Sequence, residues 1–250
     1  MRRMWLGMVL IGVVGLSVSW VATAAEKPAP VKVLLIAGDD VAPYHDWREI
    51  AEKTREVLAG CDRFDVKVCE DPLILESNTA LKAYDVIVLT MFHRGTPEMT
   101  DQAKTNLVNF VKNGKGFYVQ HLGSASFPKW DEFGKLCGRK WVMGTSGHGP
   151  RSVFEAKVVK KNHPITEGVE NFRIFDELYS KLQGDKDIEV LVSAYSDWSE
   201  KEEPLVFTTP YGQGRCVHNA LGHDFKAILN PSMAKLICRS VEWAATGKVK

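Results

Sequence analysis

The sequence predicts an α/β domain built on a mostly parallel sheet with helices on both faces. Three observations point there. Apolar, β-rich runs alternate with amphipathic helical stretches from Val31 to Val119, the signature of right-handed βαβ units. Two of these runs, Val31–Ala37 and Asp85–Thr90, are apolar nearly throughout, as strands covered on both faces are. Several strands also break off at polar residues with glycine close by, and ligands of open α/β sheets sit at such strand tips.

The length of 250 residues suits one such domain with a sizeable core. With 45% hydrophobic and 25% charged residues the chain is expected to fold rather than stay disordered. A formal charge of +1 argues against a nucleic-acid partner, which would call for a basic stripe.

At the N-terminus, Arg2 and Arg3 precede the apolar run Met4–Val21 and the small-residue site Ala22-Thr23-Ala24. Residues 1–25 therefore read as a signal peptide, 26–30 as a Pro-rich linker and 31–247 as a single domain. A retained anchor is the alternative, because the run approaches a membrane span. Either way the domain is exported, periplasmic or extracellular, and leader removal leaves no stable span. The five cysteines, Cys61, Cys69, Cys137, Cys216 and Cys238, contain no Cys-x-x-Cys pair, against a thiolate zinc site. Export permits disulfides, and the odd number leaves at least one thiol over; sequence assigns no connectivity.

The elements follow in order. Val31–Ala37 is the first buried strand. Trp47, Ile50, Ala51, Thr54 and Leu58 recur at helical spacing, and Gly60 ends that helix. Phe64, Val66 and Val68 alternate with Asp65 and Lys67, as in a strand nearer an edge. Asp85–Thr90 is a third strand. Thr100 caps a helix whose apolar stripe is Ala103, Leu107, Phe110 and Val111. The short strand Phe117–Val119 comes next and stops at Gln120-His121-Leu122-Gly123. Beyond it, Phe127–Pro150 is rich in Gly and aromatic residues, with a short helix at Trp130–Leu136. Strands at 152–159, 172–175, 188–194, 205–208 and 215–220 are spaced closely enough to imply some antiparallel pairing. The helix Ser232–Ala245 ends the fold.

Several strand tips carry chemistry. His121 stands where other α/β enzymes present a nucleophile on a sharp turn; a turn-capping histidine is the plain alternative. Asp176 and Glu177 end a strand, and neighbours on an extended strand point to opposite faces. Glu177 is placed to face His121 while Asp176 bonds loop amides; a solvated strand end is the alternative. His223 follows Leu221-Gly222, with Asp224 beside it to orient the imidazole. His45, after the first strand, and His93 and Arg94, after the third, are binding candidates. His148, in Ser146–Pro150, and Tyr179 complete that set. His163 and His218 read as structural, and Ser124 lacks the Gly-x-Ser-x-Gly context of a serine hydrolase.

Motifs along nearly the whole mature chain resemble the trehalose-utilisation (ThuA-like) family, of the class I glutamine-amidotransferase-like superfamily. They are Asn113–Phe117 running into His121, His163–Gly168, Asp176–Tyr179, Tyr211–Arg215, Leu221–Asp224 and Glu242–Ala245. The resemblance implies a three-layer, flavodoxin-like sheet and a role in carbohydrate handling, tied to disaccharides and keto-sugars. The superfamily's amidotransferases need cysteine at the elbow; His121 stands there, so that activity is not expected. Phe207 departs from the family's usual Trp, a change expected at one pocket wall.

Two functional readings follow. One is an exported enzyme acting on a small carbohydrate. His121, His223 and Glu177 would hold a divalent metal such as zinc, since two imidazoles and a carboxylate with an open position make a catalytic zinc pattern. Without metal the same groups would work as acid and base. Trp130, Trp141 and Tyr179 would stack on a sugar ring; core packing is their plain alternative. The other reading is a non-catalytic sugar-binding or partner-binding module.

Overall fold

The computed structural model describes residues 29–38, 44–94 and 97–250, together with Met1. The expected leader, Met1 apart, and most of the linker lie outside the described residues. Along the chain come β1 (Val31–Ile36), α1 (Trp47–Ala59), β2 (Phe64–Cys69), α2 (Asn78–Leu81), β3 (Val86–Leu89), α3 (Asp101–Lys112) and β4 (Gly116–Gln120). Then follow α4 (Asp131–Cys137), β5 (Ser152–Val158), β6 (Phe172–Asp176), β7 (Glu189–Ser196), β8 (Lys201–Tyr211), β9 (Gly214–Asn219), α5 (Phe225–Ile228) and α6 (Pro231–Thr246). Helix starts are fixed locally. Asp46 accepts the amides of Arg48 and Glu49, and Thr100 that of Ala103, satisfying donors that an isolated helix end leaves bare.

The strands form one nine-stranded sheet in the order β2-β1-β3-β4-β9-β8-β7-β5-β6. The sheet is mixed, so the expected parallel arrangement holds for only part of it. β2, β1, β3, β4 and β9 run parallel, while β8, β7, β5 and β6 add antiparallel pairings. Connection length explains the β7–β8 and β8–β9 pairings. The links after β7 and β8 are four and two residues long, and parallel neighbours need a crossover of a dozen or more.

Period-2 alternation divides the parallel half between two cores. Val33, Leu35, Val88 and Tyr118 pack with α1 and α6 on one face. Leu34, Ile36, Ile87, Phe117 and Val119 pack with α3 and α4 on the other. In the antiparallel half, Ala156, Val158, Ile174 and Ala194 face the first core, and Val153, Phe175 and Tyr195 stay exposed on the opposite side. Among the described residues no helix is long and apolar enough to cross a membrane.

A disulfide joins Cys61, just past α1, to Cys238 in α6, while Cys69, Cys137 and Cys216 are free. It closes a loop across 177 positions and clamps two helices of one layer together. Replacing both Cys61 and Cys238 with serine should lower the unfolding free energy by about 2–4 kcal/mol. Urea unfolding of variant and parent under non-reducing conditions measures the difference.

Candidate metal centre

β4 delivers His121 into a 3₁₀ turn over His121–Ala125. The residue adopts φ +44°, a left-handed conformation that non-glycine residues rarely take. Several contacts hold it there. A Cβ on Gly123 would lie 2.6 Å from the carbonyl oxygen of Leu89, so the turn rests directly on the end of β3. The Ser124 hydroxyl donates to the His121 carbonyl at 2.8 Å. His121 Nδ1 lies 2.8 Å from the carbonyl oxygen of Ala220, just past β9. A carbonyl only accepts, so a proton is on Nδ1 and the ring turns its Nε2 toward the site.

Glu177 arrives from β6, at the far end of the strand order. Asp176 fixes that arrival. Fully buried, it accepts the amides of Glu177 at 2.9 Å, Gly222 at 2.7 Å and His223 at 3.1 Å. One carboxylate thus ties the tip of β6 to the turn after β9. Burial raises its pKa, against the pull of His121 and the three amides.

The functional side chains converge on Glu177. Its Oε2 lies 3.1 Å from His223 Nδ1, 3.4 Å from His121 Nε2 and 3.5 Å from His148 Nε2. His45 Nε2 lies 3.1 Å from His223 Nδ1. His45, His121, Glu177 and His223 each offer one ligand atom, all within 4.8 Å of one another. Burial works to raise the Glu177 pKa, but the imidazoles of His121 and His223 close beside it outweigh that and hold the carboxyl well below its ordinary range. Burial, then the neighbouring His121 and His223, pushes His45 down to about 3, so that ring stays neutral.

These residues fit a divalent cation. His121 Nε2 and Glu177 Oε2 are buried and lack a hydrogen-bond partner, which is costly unless something compensates. Three imidazoles and one carboxylate suit zinc or a similar first-row ion.

Above the cluster is a cavity of about 490 Å³, within the range of small-molecule sites. Phe92, Leu122, Trp141 and Tyr179 wall it, and Tyr44 and Met143 stand exposed at its mouth. Glu177, His45, His148 and Arg94 also line it. Tyr179 stacks on His121 with ring centroids 3.9 Å apart, and burial raises its pKa. Phe92, Leu122 and Met143 carried no sequence signal, because apolar side chains give none of the chemistry that marks a site.

Other expected residues lie elsewhere. His93 does not line the cavity; its Nε2 lies 2.8 Å from the Pro97 carbonyl and its ring packs on Phe127. Asp224 does not orient His223. It caps α5 by accepting the Ala227 amide and pairs with Arg151, so the expectation that it orients the His223 imidazole is corrected. Trp130 packs against Phe127 and Phe133. Phe207 is buried against His218 rather than in a pocket wall.

Fold and site together define a mixed α/β protein with a His/carboxylate cluster at its strand tips. The chain belongs to the ThuA family, described as trehalose utilisation, whose profile matches residues 32–244. A ThuA-like protein of Parabacteroides merdae is similar at 28% identity and TM-score 0.77, over 89% of this chain and 92% of that one. A ThuA-like protein of Bacteroides uniformis, at 20% identity and TM-score 0.69 over 92% and 98%, shares the fold. So does a cytoplasmic protein of Salmonella typhimurium, at 14% identity and TM-score 0.64 over 86% and 100%. No curated protein matches the chain.

Two outcomes follow. Asp176→Asn cannot keep all its acceptor positions, because its NH₂ must face one of the three amides. It should cost about 1–3 kcal/mol of stability, measured by urea unfolding.

The second concerns pH. His45 and His218, both pushed to about 3 by burial first, have an ordinary value of 6.5. The unfolded chain takes up these protons below 6.5 and the folded one only near 3. Stability should therefore fall as pH drops through that window. Replacing His218 with Leu should flatten the slope of unfolding free energy between about pH 7 and about pH 4; an unchanged slope would contradict it.

Proposed function

We propose that this is an exported metal-dependent enzyme of carbohydrate metabolism, acting on a disaccharide or a keto-sugar derived from one. One observation carries the reading: His45, His121, Glu177 and His223 bring four ligand atoms within 4.8 Å at the base of an aromatic-walled cavity. The family's link to trehalose utilisation supports the substrate class. Export rests on the leader-like N-terminus and draws support from the Cys61–Cys238 bridge, since disulfides persist in oxidising compartments. The finer fold reading, a three-layer flavodoxin-like core, applies to the parallel half.

When bound, a divalent ion supplies Lewis-acid polarisation of a sugar carbonyl or hydroxyl. His45, His121, Glu177 and His223 would hold it. His121 is kept in one tautomer by the Ala220 carbonyl. Trp141 offers a ring face to the apolar side of a pyranose, with the buried Tyr179 packed behind it, and Arg94 on the wall is placed to meet sugar oxygens. His148 stays outside the four-ligand set. Its Nδ1 sits 2.7 Å from the Gly149 carbonyl, which places a proton there and leaves Nε2 to take a proton from bound sugar. With Glu177 beside it, the imidazolium that results is stabilised.

Elemental analysis should find about one equivalent of zinc or a similar ion, lost in His121→Ala and bound at least about tenfold more weakly in Glu177→Gln. A panel of disaccharides and their 3-keto derivatives should show turnover that chelator abolishes and metal restores. Sugar binding without turnover that survives both substitutions but is lost on Trp141→Ala, in the wall of this cavity, would favour the non-catalytic binding module instead.

A further inference from the structure

A second cavity, about 450 Å³ in volume, lies back to back with the first. Val153, Leu178, Tyr195 and Trp198 line it, together with the polar Ser152 and Asp197. Adjacent residues of the same two segments line the two cavities. In the segment 147–150, His148 faces the metal-site cavity, whereas Gly149 and Pro150 face the second. In the segment after β6, Glu177 and Tyr179 line the first cavity and Leu178 the second, as alternation along an extended chain requires. The Gly147–Ser180 bridge pairs the two segments.

The aromatic rings of the second cavity are exposed yet held in place. Trp198 is 44% exposed and Tyr195 51%. Lys181 Nζ lies 4.5 Å from the Trp198 ring centroid, a cation–π contact. Gly147 abuts the indole so closely that a Cβ there would lie 2.5 Å from the ring; only glycine leaves the tryptophan its seat. The turn that carries Trp198 is braced from below. Ser196 Oγ accepts the Ser199 amide at 3.2 Å and contacts Ser180 Oγ at 2.8 Å.

The chemistry selects an occupant. A purely apolar partner would bury the Asp197 carboxylate without a hydrogen bond, at considerable cost. A polyanion would meet that same charge. A neutral pyranose has an apolar C–H face for the rings and a hydroxyl rim for Asp197 and Ser152, and the volume falls within the small-molecule range of about 300–1,000 Å³. We infer that the Tyr195–Trp198 groove is a second saccharide-binding site, separated from the metal-site cavity by the 147–150 and 177–180 segments. The choice of saccharide over other small neutral ligands rests on the carbohydrate reading above. The groove's geometry does not.

The test is calorimetric titration of the full chain with trehalose and with cellobiose, run in a Trp141→Ala background to remove the ring face of the first cavity. At least one probe should bind, and both Trp198→Ala and Tyr195→Ala should weaken it at least tenfold. His121→Ala should leave that binding intact, so the groove is read even if the chain holds no metal. Tyr195 provides the arm least coupled to folding, because half its surface is solvent-exposed. Flat titrations with both probes, or binding unchanged in both variants, would overturn the inference. So would self-association in sedimentation that Trp198→Ala abolishes, which would mean the groove covers a second copy of the chain.

Discussion

Electron-rich atoms buried together need a positive charge among them, and that constraint organises this protein's strand tips. His121 has its Nδ1 proton committed to Ala220, so its other nitrogen faces the Glu177 carboxylate 3.4 Å away. His223 Nδ1 meets both that carboxylate and His45 Nε2 at 3.1 Å. A lone pair opposite a carboxylate is repulsive unless a proton or a metal ion lies between. Protons on His121 and His223 would satisfy the Glu177 contacts, but the neutral His45 would then have to share the single His223 Nδ1 proton with Glu177. A divalent ion satisfies all four groups at once.

Much of the surrounding structure keeps those groups from drifting apart. Glu177 comes from the far edge of the sheet order and His121 from its centre. Their meeting depends on Asp176, whose three amide partners fasten the tip of β6 to the turn after β9. His121 accepts an unfavourable backbone conformation because the ends of β3 and β9 leave the turn little room. Strain of this kind, over-determined by neighbours, is common where side chains are pre-organised. The 177–180 segment also lies between two cavities, with Glu177 and Tyr179 lining one and Leu178 the other.

The legible part of the fold was the part written in local pattern. Continuous apolar runs gave β1 and β3, and alternation gave β2 as an edge. Close strand spacing gave some antiparallel pairing, but not that it fills half the sheet, because strand order depends on long-range packing. In the site, His121, Glu177 and His223 could be named because each follows a strand that breaks at a polar residue. The split of roles between Asp176 and Glu177 followed from strand alternation. His45 could be named only as one of several binding candidates, since nothing local told it from His93, whose ring instead turns to Pro97. Asp224 was misread as the partner of its neighbour His223, although an Asp opening a short helix fits an N-cap equally well. The Tyr195–Trp198 groove was invisible in sequence, because nothing local says which sheet face the helices leave bare.

The central claim is that His45, His121, Glu177 and His223 hold one divalent cation. Anomalous diffraction at the zinc absorption edge, on crystals of the full chain grown with zinc, tests it most directly. A single strong peak among the ligand atoms of these four residues is the expected result. Absence of a peak there, with the four side chains bonded to one another or to water, would contradict the claim.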